Sequence, residues 1–173
     1  MRADPRLAPL EATPCTGRHD ATPRAPRRRV VAVLVVCGDR VLLARRSPLV
    51  ASDQGMWHCI TGFLDADLDP REQALQELQE ELGLDPSSID LITEGPPTTI
   101  GPADASWTVH PFLVSTRQRH VRLNWENDAA TWVRRDRLPR RCVPWLLTVG
   151  DALGYPCRRL QPEAPFGVSL TAG

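Results

Sequence analysis

Apolar positions gather into short runs along the chain, and two periods sort them into strands and helices. Arg29 to Val36 (RVVAVLVV) is a near-continuous β-branched run, the pattern of a strand buried on both faces. Cys37-Gly38-Asp39-Arg40 is turn chemistry, and Val41 to Ala44 is the returning strand of a hairpin. Arg45 and Arg46 end that strand, and Ser47 to Met56 is a loop. The period then changes. Ala74, Leu75, Leu78 and Leu82 recur at helical spacing. Asp69 can cap the first turn, Pro70 suits the first position, and Glu72 completes a capping box. Gly83 supplies a left-handed stop. Ile89 to Glu94 is a short strand, and Gly95 to Ala105, with Pro96, Pro97 and Pro102, is a loop. Trp107 to Ser115 is a strand whose Pro111 calls for an edge position or a bulge. Ala129 to Val133 is a last strand. Val143 to Leu153, with Trp145, Leu146 and Leu147, suits a helix packed on a sheet.

Composition adds bounds. A chain of 173 residues can bury a proper core as one domain. Apolar content of 42% and charged content of 24% fit a soluble globular protein. The net charge of zero gives no reason to expect a nucleic-acid or membrane partner. All 21 basic residues are Arg, so a Lys nucleophile or Schiff base is excluded. Cys15, Cys37, Cys59, Cys142 and Cys157 are odd in number, widely spaced and without a CxxC pair. That argues against a zinc site or disulfide framework and for a reducing compartment. No apolar run approaches a membrane span, and the N-terminus lacks the apolar core of a secretory signal. The expectation is a cytoplasmic protein.

Residues 1–28 hold five prolines and six arginines against Asp4, Glu11 and Asp20. They read as a disordered basic leader. Residues 29–154 form the expected domain, and 155–173 a loose tail.

The helix from Pro70 also carries the candidate chemistry. Glu77, Glu80 and Glu81 lie three and four residues apart, on one patch of its surface. The only basic residue in the helix is Arg71, at its start, while Gln73, Gln76 and Gln79 surround the acids. Unpaired like charges repel. Either the patch is a solvated acidic face, or a hard divalent cation relieves it.

The flanks of this helix bear on that choice. Gly62 to Leu84 (GFLDADLDPREQALQELQEELGL) resembles the Nudix box. That pattern is Gly, five residues, Glu, seven residues, then Arg-Glu-apolar-x-Glu-Glu-x-Gly-apolar. Gly62 fits, and Glu77 through Leu84 fit throughout. Leu68 departs from the first Glu and Gln76 from the Arg.

The resemblance spans about residues 30 to 153. It implies an α/β fold of the Nudix type: an α/β/α sandwich with a mixed sheet and a loop–helix box. It implies hydrolysis of a diphosphate linkage in a nucleoside diphosphate joined to another moiety, with Mg²⁺ or Mn²⁺ as cofactor. Glu77 and Glu81 would be metal ligands, and Glu80 a further ligand or a link to metal-bound water. Glu126 matches the first acid of a family pattern ahead of Trp-Val, and would be a base or a fourth ligand; Ala129 departs from the second acid. Arg45 and Arg46 would meet substrate phosphate, or simply end a strand. Trp57 would pack the core or stack a base. Asp67 would stand in for the acid missing at Leu68. The expected partner is a small nucleotide or diphosphate, with no membrane and no nucleic acid; a homodimer is allowed. Two alternatives stay open. One is a Nudix-fold module that binds a nucleotide without cleaving it. The other is an isopentenyl diphosphate isomerase-like enzyme, which needs a catalytic Cys; Cys59 is the nearest to the box.

Overall fold

The computed structural model describes residues 28–65, 67–102 and 106–160. The expected leader through residue 27, and residues 161–173 of the expected tail, lie outside the described residues.

The alternation along the first strand sets the layers. In β1 (Arg28–Cys37), Val31, Val33 and Val35 point to one apolar cluster, and Ala32, Leu34 and Val36 to another. Side chains alternate across a strand, so a run buried throughout needs cover on both faces. The first cluster is covered by α1 (Pro70–Leu82) through Ala74, Leu78 and Leu82. The second is covered by α2 (Leu146–Ala152) through Leu146 and Val149. This is the expected α/β/α sandwich. Each such valine or leucine, fully buried, contributes about 1.5–3 kcal/mol of hydrophobic stabilisation.

The remaining strands are β2 (Arg40–Arg46), β3 (Trp57–His58), β4 (Ile60–Phe63), β5 (Ile89–Glu94), β6 (Thr98–Ile100), β7 (Trp107–Thr116) and β8 (Asn127–Arg134). The sheet is mixed: β1 runs parallel to β7 and antiparallel to β2 and β4. β2 pairs with β1 only at Val36↔Val41 and Cys37↔Arg40, then turns away to pair with β8 and β3. β4 takes the vacated flank of β1, from Val30↔Phe63 to Val33↔Ile60. The sheet therefore forks, and the loop into α1 leaves β4 opposite the start of β1.

Several elements differ from expectation, β3 and β4 among them, which the sequence reading did not anticipate. β7 is central, not at an edge, with β1 on one side and β5 and β6 on the other. Pro111 is tolerated because the ladder on the second side is interrupted between Glu94 and Thr98. Its carbonyl accepts from Gly95 N–H at 2.9 Å, and the missing Pro donor faces the same gap, beside Pro96 and Pro97. β6 lies inside the stretch expected to be loop. α2 begins three residues later than its apolar pattern, since Pro144 turns Val143 away from helical backbone.

α1 has its expected Asp69 cap and Gly83 stop, while no hydrogen bond from Asp69 N–H to Glu72 closes the expected capping box among the described residues. Asp69 Oδ1 accepts from Arg71 N–H at 2.8 Å, and Gly83 takes φ 63° at the C-cap. Residues 155–160, expected to be loose, are tied down: Leu138 N–H donates to Arg158 O, and Leu160 N–H to Leu138 O. Cys157 is buried there. No helix among the described residues is long and apolar enough to cross a membrane.

Candidate active site

Gly62 is where the helix and the sheet meet. Its backbone pairs with Val31 in β1, and a Cβ there would overlap the Glu77 carboxyl group. Only the absence of a side chain lets Glu77 rest against the strand. Gln73 Nε2 donates to Glu77 Oε1 at 2.9 Å from one turn earlier. Gly62→Ala is therefore expected to displace Glu77 and weaken metal affinity or activity by about 10–100-fold with the fold intact. Circular dichroism and a Mg²⁺ titration of activity check this; an unchanged titration would mean that Glu77 has no fixed place to lose.

Glu81 lies deeper, at 2% exposure. Its Oε2 accepts from Asn127 Nδ2 at 2.6 Å, and its Oε1 from Thr61 N–H at 3.4 Å. Asn127 Oδ1 faces His58 Nε2 at 2.9 Å. Once Glu81 is ionised its carboxylate only accepts, so the Asn127 amide then turns its nitrogen to Glu81 and its oxygen to His58. His58 then carries its proton on Nε2 and is neutral, since burial depresses its pKa to about 4. This buried chain holds Glu81 in one orientation.

Burial raises the pKa of Glu81 to about 8 and that of Glu77 to about 7. The negative charges of Glu126 and Glu77 push Glu81 further up, and those of Glu80, Glu126 and Asp65 do the same to Glu77. Among the described residues, no ion pair neutralises Glu77, Glu80, Glu81 or Glu126. Glu80 Oε1 accepts from Gln76 Nε2 at 2.7 Å.

Glu77, Glu80 and Glu126 line one cavity of about 660 Å³, together with Arg46. Arg46 Nε donates to Ser52 O at 2.8 Å. Arg45 and Trp57 are not on that lining. Arg45 Nε binds Asp128 Oδ1 at 2.6 Å, and its guanidinium sits 5.8 Å from the Trp57 ring. Trp57 packs against the second core cluster.

No three His, Cys, Asp or Glu side chains among the described residues are arranged to hold a metal ion as they stand. The donor chemistry fits a hard divalent cation nonetheless. The donors are carboxylate oxygens, they repel one another without a counter-charge, and Gly62 cradles one of them.

The two departures have structural counterparts. Leu68 packs against the first core cluster. Asp67 is exposed, and it is Gln73 that donates to Glu77. Gln73, Asn127 and His58 are the site residues that sequence reading missed. The four-residue spacing of Gln73 and Glu77 was a usable signal; nothing local marked Asn127.

A family model of the NUDIX domain matches residues 26–150. Over 74 residues the chain is 40% identical to an RNA pyrophosphohydrolase of Gluconacetobacter diazotrophicus, covering 40% of this chain and 44% of that protein. The chain spans less than half the length of the curated relatives it matches. Among solved structures it resembles a MutT NUDIX hydrolase from Burkholderia pseudomallei at TM-score 0.61 and 23% identity, covering 73% of this chain and 98% of that one. It also resembles the NUDIX domain of Shewanella oneidensis NrtR, solved with ADP ribose, at TM-score 0.54 and 16% identity. That match covers 68% of this chain and 79% of that one.

Proposed function

This chain belongs to the Nudix family, a hydrolase family, and we propose that it cleaves the diphosphate linkage of a small nucleoside diphosphate joined to another moiety. The observation that carries this reading is the meeting of Glu77, Glu80, Glu126 and Arg46 on one cavity, above the buried Glu81. Hydrolysis of a phosphoanhydride demands neutralisation of charge on the transferring phosphoryl group. A bound Mg²⁺ or Mn²⁺ supplies that neutralisation. Glu77 and Glu81 are the proposed ligands, with Glu80 beside them as a further one. Asn127 and Gln73 keep two of these carboxylates oriented. Arg46 offers a guanidinium to substrate phosphate. Arg45, engaged by Asp128 and Trp57, serves instead to fix the end of β2.

The isomerase-like alternative loses its reactive group. Cys59 is 1% exposed, and burial pushes its thiol far above the ordinary range. The binding-module alternative differs from the hydrolase only in turnover. The test is a panel of diphosphates with Mg²⁺ and with Mn²⁺: ADP-ribose, dinucleoside polyphosphates, nucleoside triphosphates and 5′-triphosphate RNA. Release of nucleotide or phosphate from one of them is the expected result. Binding without release across the panel would make the chain a binding module.

A further inference from the structure

The same cavity has a wall that hydrolysis does not explain. Phe63 (β4), Val30 and Ala32 (β1), Trp107 and Val109 (β7) share one face of the sheet and line the cavity. Trp145, just ahead of α2, adds a second indole to the lining. Phe63 is 62% exposed, although most apolar side chains of this face are packed. Its ring centroid lies 5.7 Å from that of Trp107, at an interplanar angle of 39°. The Arg28 guanidinium lies 5.4 Å from the same Trp107 ring. Trp107 is thus engaged by two neighbours and backs Phe63, whose own ring remains open to solvent.

An exposed phenyl ring on a cavity wall leaves apolar area in water, which a flat aromatic ligand would cover. Phe63 directly follows Gly62, against which Glu77 rests. Side chains alternate along β4, so the Phe63 ring leaves the face opposite the one that Gly62 turns to Glu77. A ring stacked on Phe63 and a diphosphate at the carboxylates would share the cavity that Phe63 and Glu77 both line. The cavity volume is in the range of small-molecule sites.

We propose that Phe63, backed by Trp107, is the stacking platform for the nucleobase of the substrate. This rests on the nucleotide substrate proposed above. The platform reads a base by its face. On this wall the side-chain donors among the described lining residues are few: the Trp107 and Trp145 indole N–H groups and the hydroxyl of Thr61, which pairs with Ala32 on the same face. Every base has a π-face, so stacking without edge contacts discriminates weakly. The substrate class follows: diphosphates carrying an aromatic base, with purines and pyrimidines both accepted.

The test measures binding rather than cleavage. Calorimetry with Mg²⁺ compares α,β-methylene-ADP, α,β-methylene-UDP and base-free methylenediphosphonate on wild type, Phe63→Ala and Phe63→Tyr. The expected result is that Phe63→Ala weakens both nucleotides by about 10–100-fold. Methylenediphosphonate affinity should stay unchanged, and Phe63→Tyr should retain wild-type affinity. In wild type the two nucleotides should bind within about tenfold of each other. Equal weakening of methylenediphosphonate, unchanged nucleotide affinity in Phe63→Ala, or no nucleotide binding by wild type would each overturn the platform. Phe63-dependent binding without hydrolysis of any diphosphate would instead keep the platform and remove the hydrolase reading.

Discussion

The variant carrying Glu77→Gln and Glu81→Gln is expected to lose the whole rise in melting temperature that millimolar Mg²⁺ or Mn²⁺ gives the wild type. A cation that binds only the folded arrangement stabilises it by mass action, so removing its ligands removes the rise. Substitution by glutamine keeps the shape. In place of Glu81, a glutamine could still accept from Asn127 Nδ2 through its own carbonyl oxygen. The apo variant should therefore fold, and its activity should be lost with its metal response. An equal rise in wild type and variant would place the cation elsewhere.

The same experiment has a pH dependence whose sign is fixed. The folded apo protein holds Glu81 at a pKa of about 8 and Glu77 at about 7, raised first by burial and then by neighbouring carboxylates. The unfolded chain releases those protons near the ordinary value of 4.5. Between these values the folded state binds more protons, so apo stability falls as pH rises. It is fully present below about pH 4.5 and lost through about pH 8. For the buried Glu81 the loss is on the order of a few kcal/mol. The melting temperature of apo wild type should fall between pH 5 and 8 relative to the double variant, and the Mg²⁺ increment should grow over the same interval. A flat difference between the two proteins across that interval would mean that the carboxylates are solvated and the acidic patch is an ordinary surface.

What local chemistry controls was legible in the sequence. The cap at Asp69, the stop at Gly83 and the apolar stripe of α1 need only neighbours a few residues away. β1 was legible because a β-branched run buried on both faces has one place in a layered fold. The unread elements depend on distant partners. β3 and β6 are too short to show a period, and each exists because an adjacent strand offers a free flank. Pro111 pointed to an edge because the sequence does not show that the neighbouring ladder is broken opposite it.

The site divides along the same line. The spacing of Glu77, Glu80 and Glu81 showed a shared patch, but not that Glu81 is buried while Glu80 is exposed. Glu81 lies on the buried face of α1 with Ala74 and Leu78, and its carboxylate meets Asn127 there, forty-six residues along the chain. Arg45 and Arg46 were indistinguishable as letters. A register shift between them in the β2–β8 ladder separates their roles, leaving Arg46 on the cavity and Arg45 on Asp128. Leu68 read as a weakened box; in the fold it is a core contact, so Leu68→Glu would set a carboxylate against apolar neighbours.

Glu126→Gln is expected to lower turnover by about 10²–10⁴-fold while the fold and most of the substrate affinity survive. In the proposed site the α1 carboxylates would reach the diphosphate from one element. A proton acceptor for the attacking water has to come from another, because a carboxylate already bound to a cation is a poor base. Glu126 meets that need: it lines the cavity with Glu77 and Glu80, yet it stands at the start of β8. Its loop is rigid for a reason the sequence did not show. The adjacent Trp125 is 62% exposed and does not pack the loop down. Hydrogen bonds do the anchoring instead. Ser47 N–H donates to Glu126 O at 2.7 Å, and Glu126 N–H donates to Asn124 Oδ1 at 3.1 Å. The next residue, Asn127, is locked between Glu81 and His58. The backbone of Glu126 is thus tied to α1 through its neighbour. Single-turnover kinetics separate the possible roles. Lower turnover at unchanged Mg²⁺ dependence makes Glu126 the base; a raised Mg²⁺ requirement makes it a ligand. Turnover within a few-fold of wild type would exclude both. Asp128 is a poor substitute, since Arg45 already holds its carboxylate, and the search would move to Asp104, which lies outside the described residues.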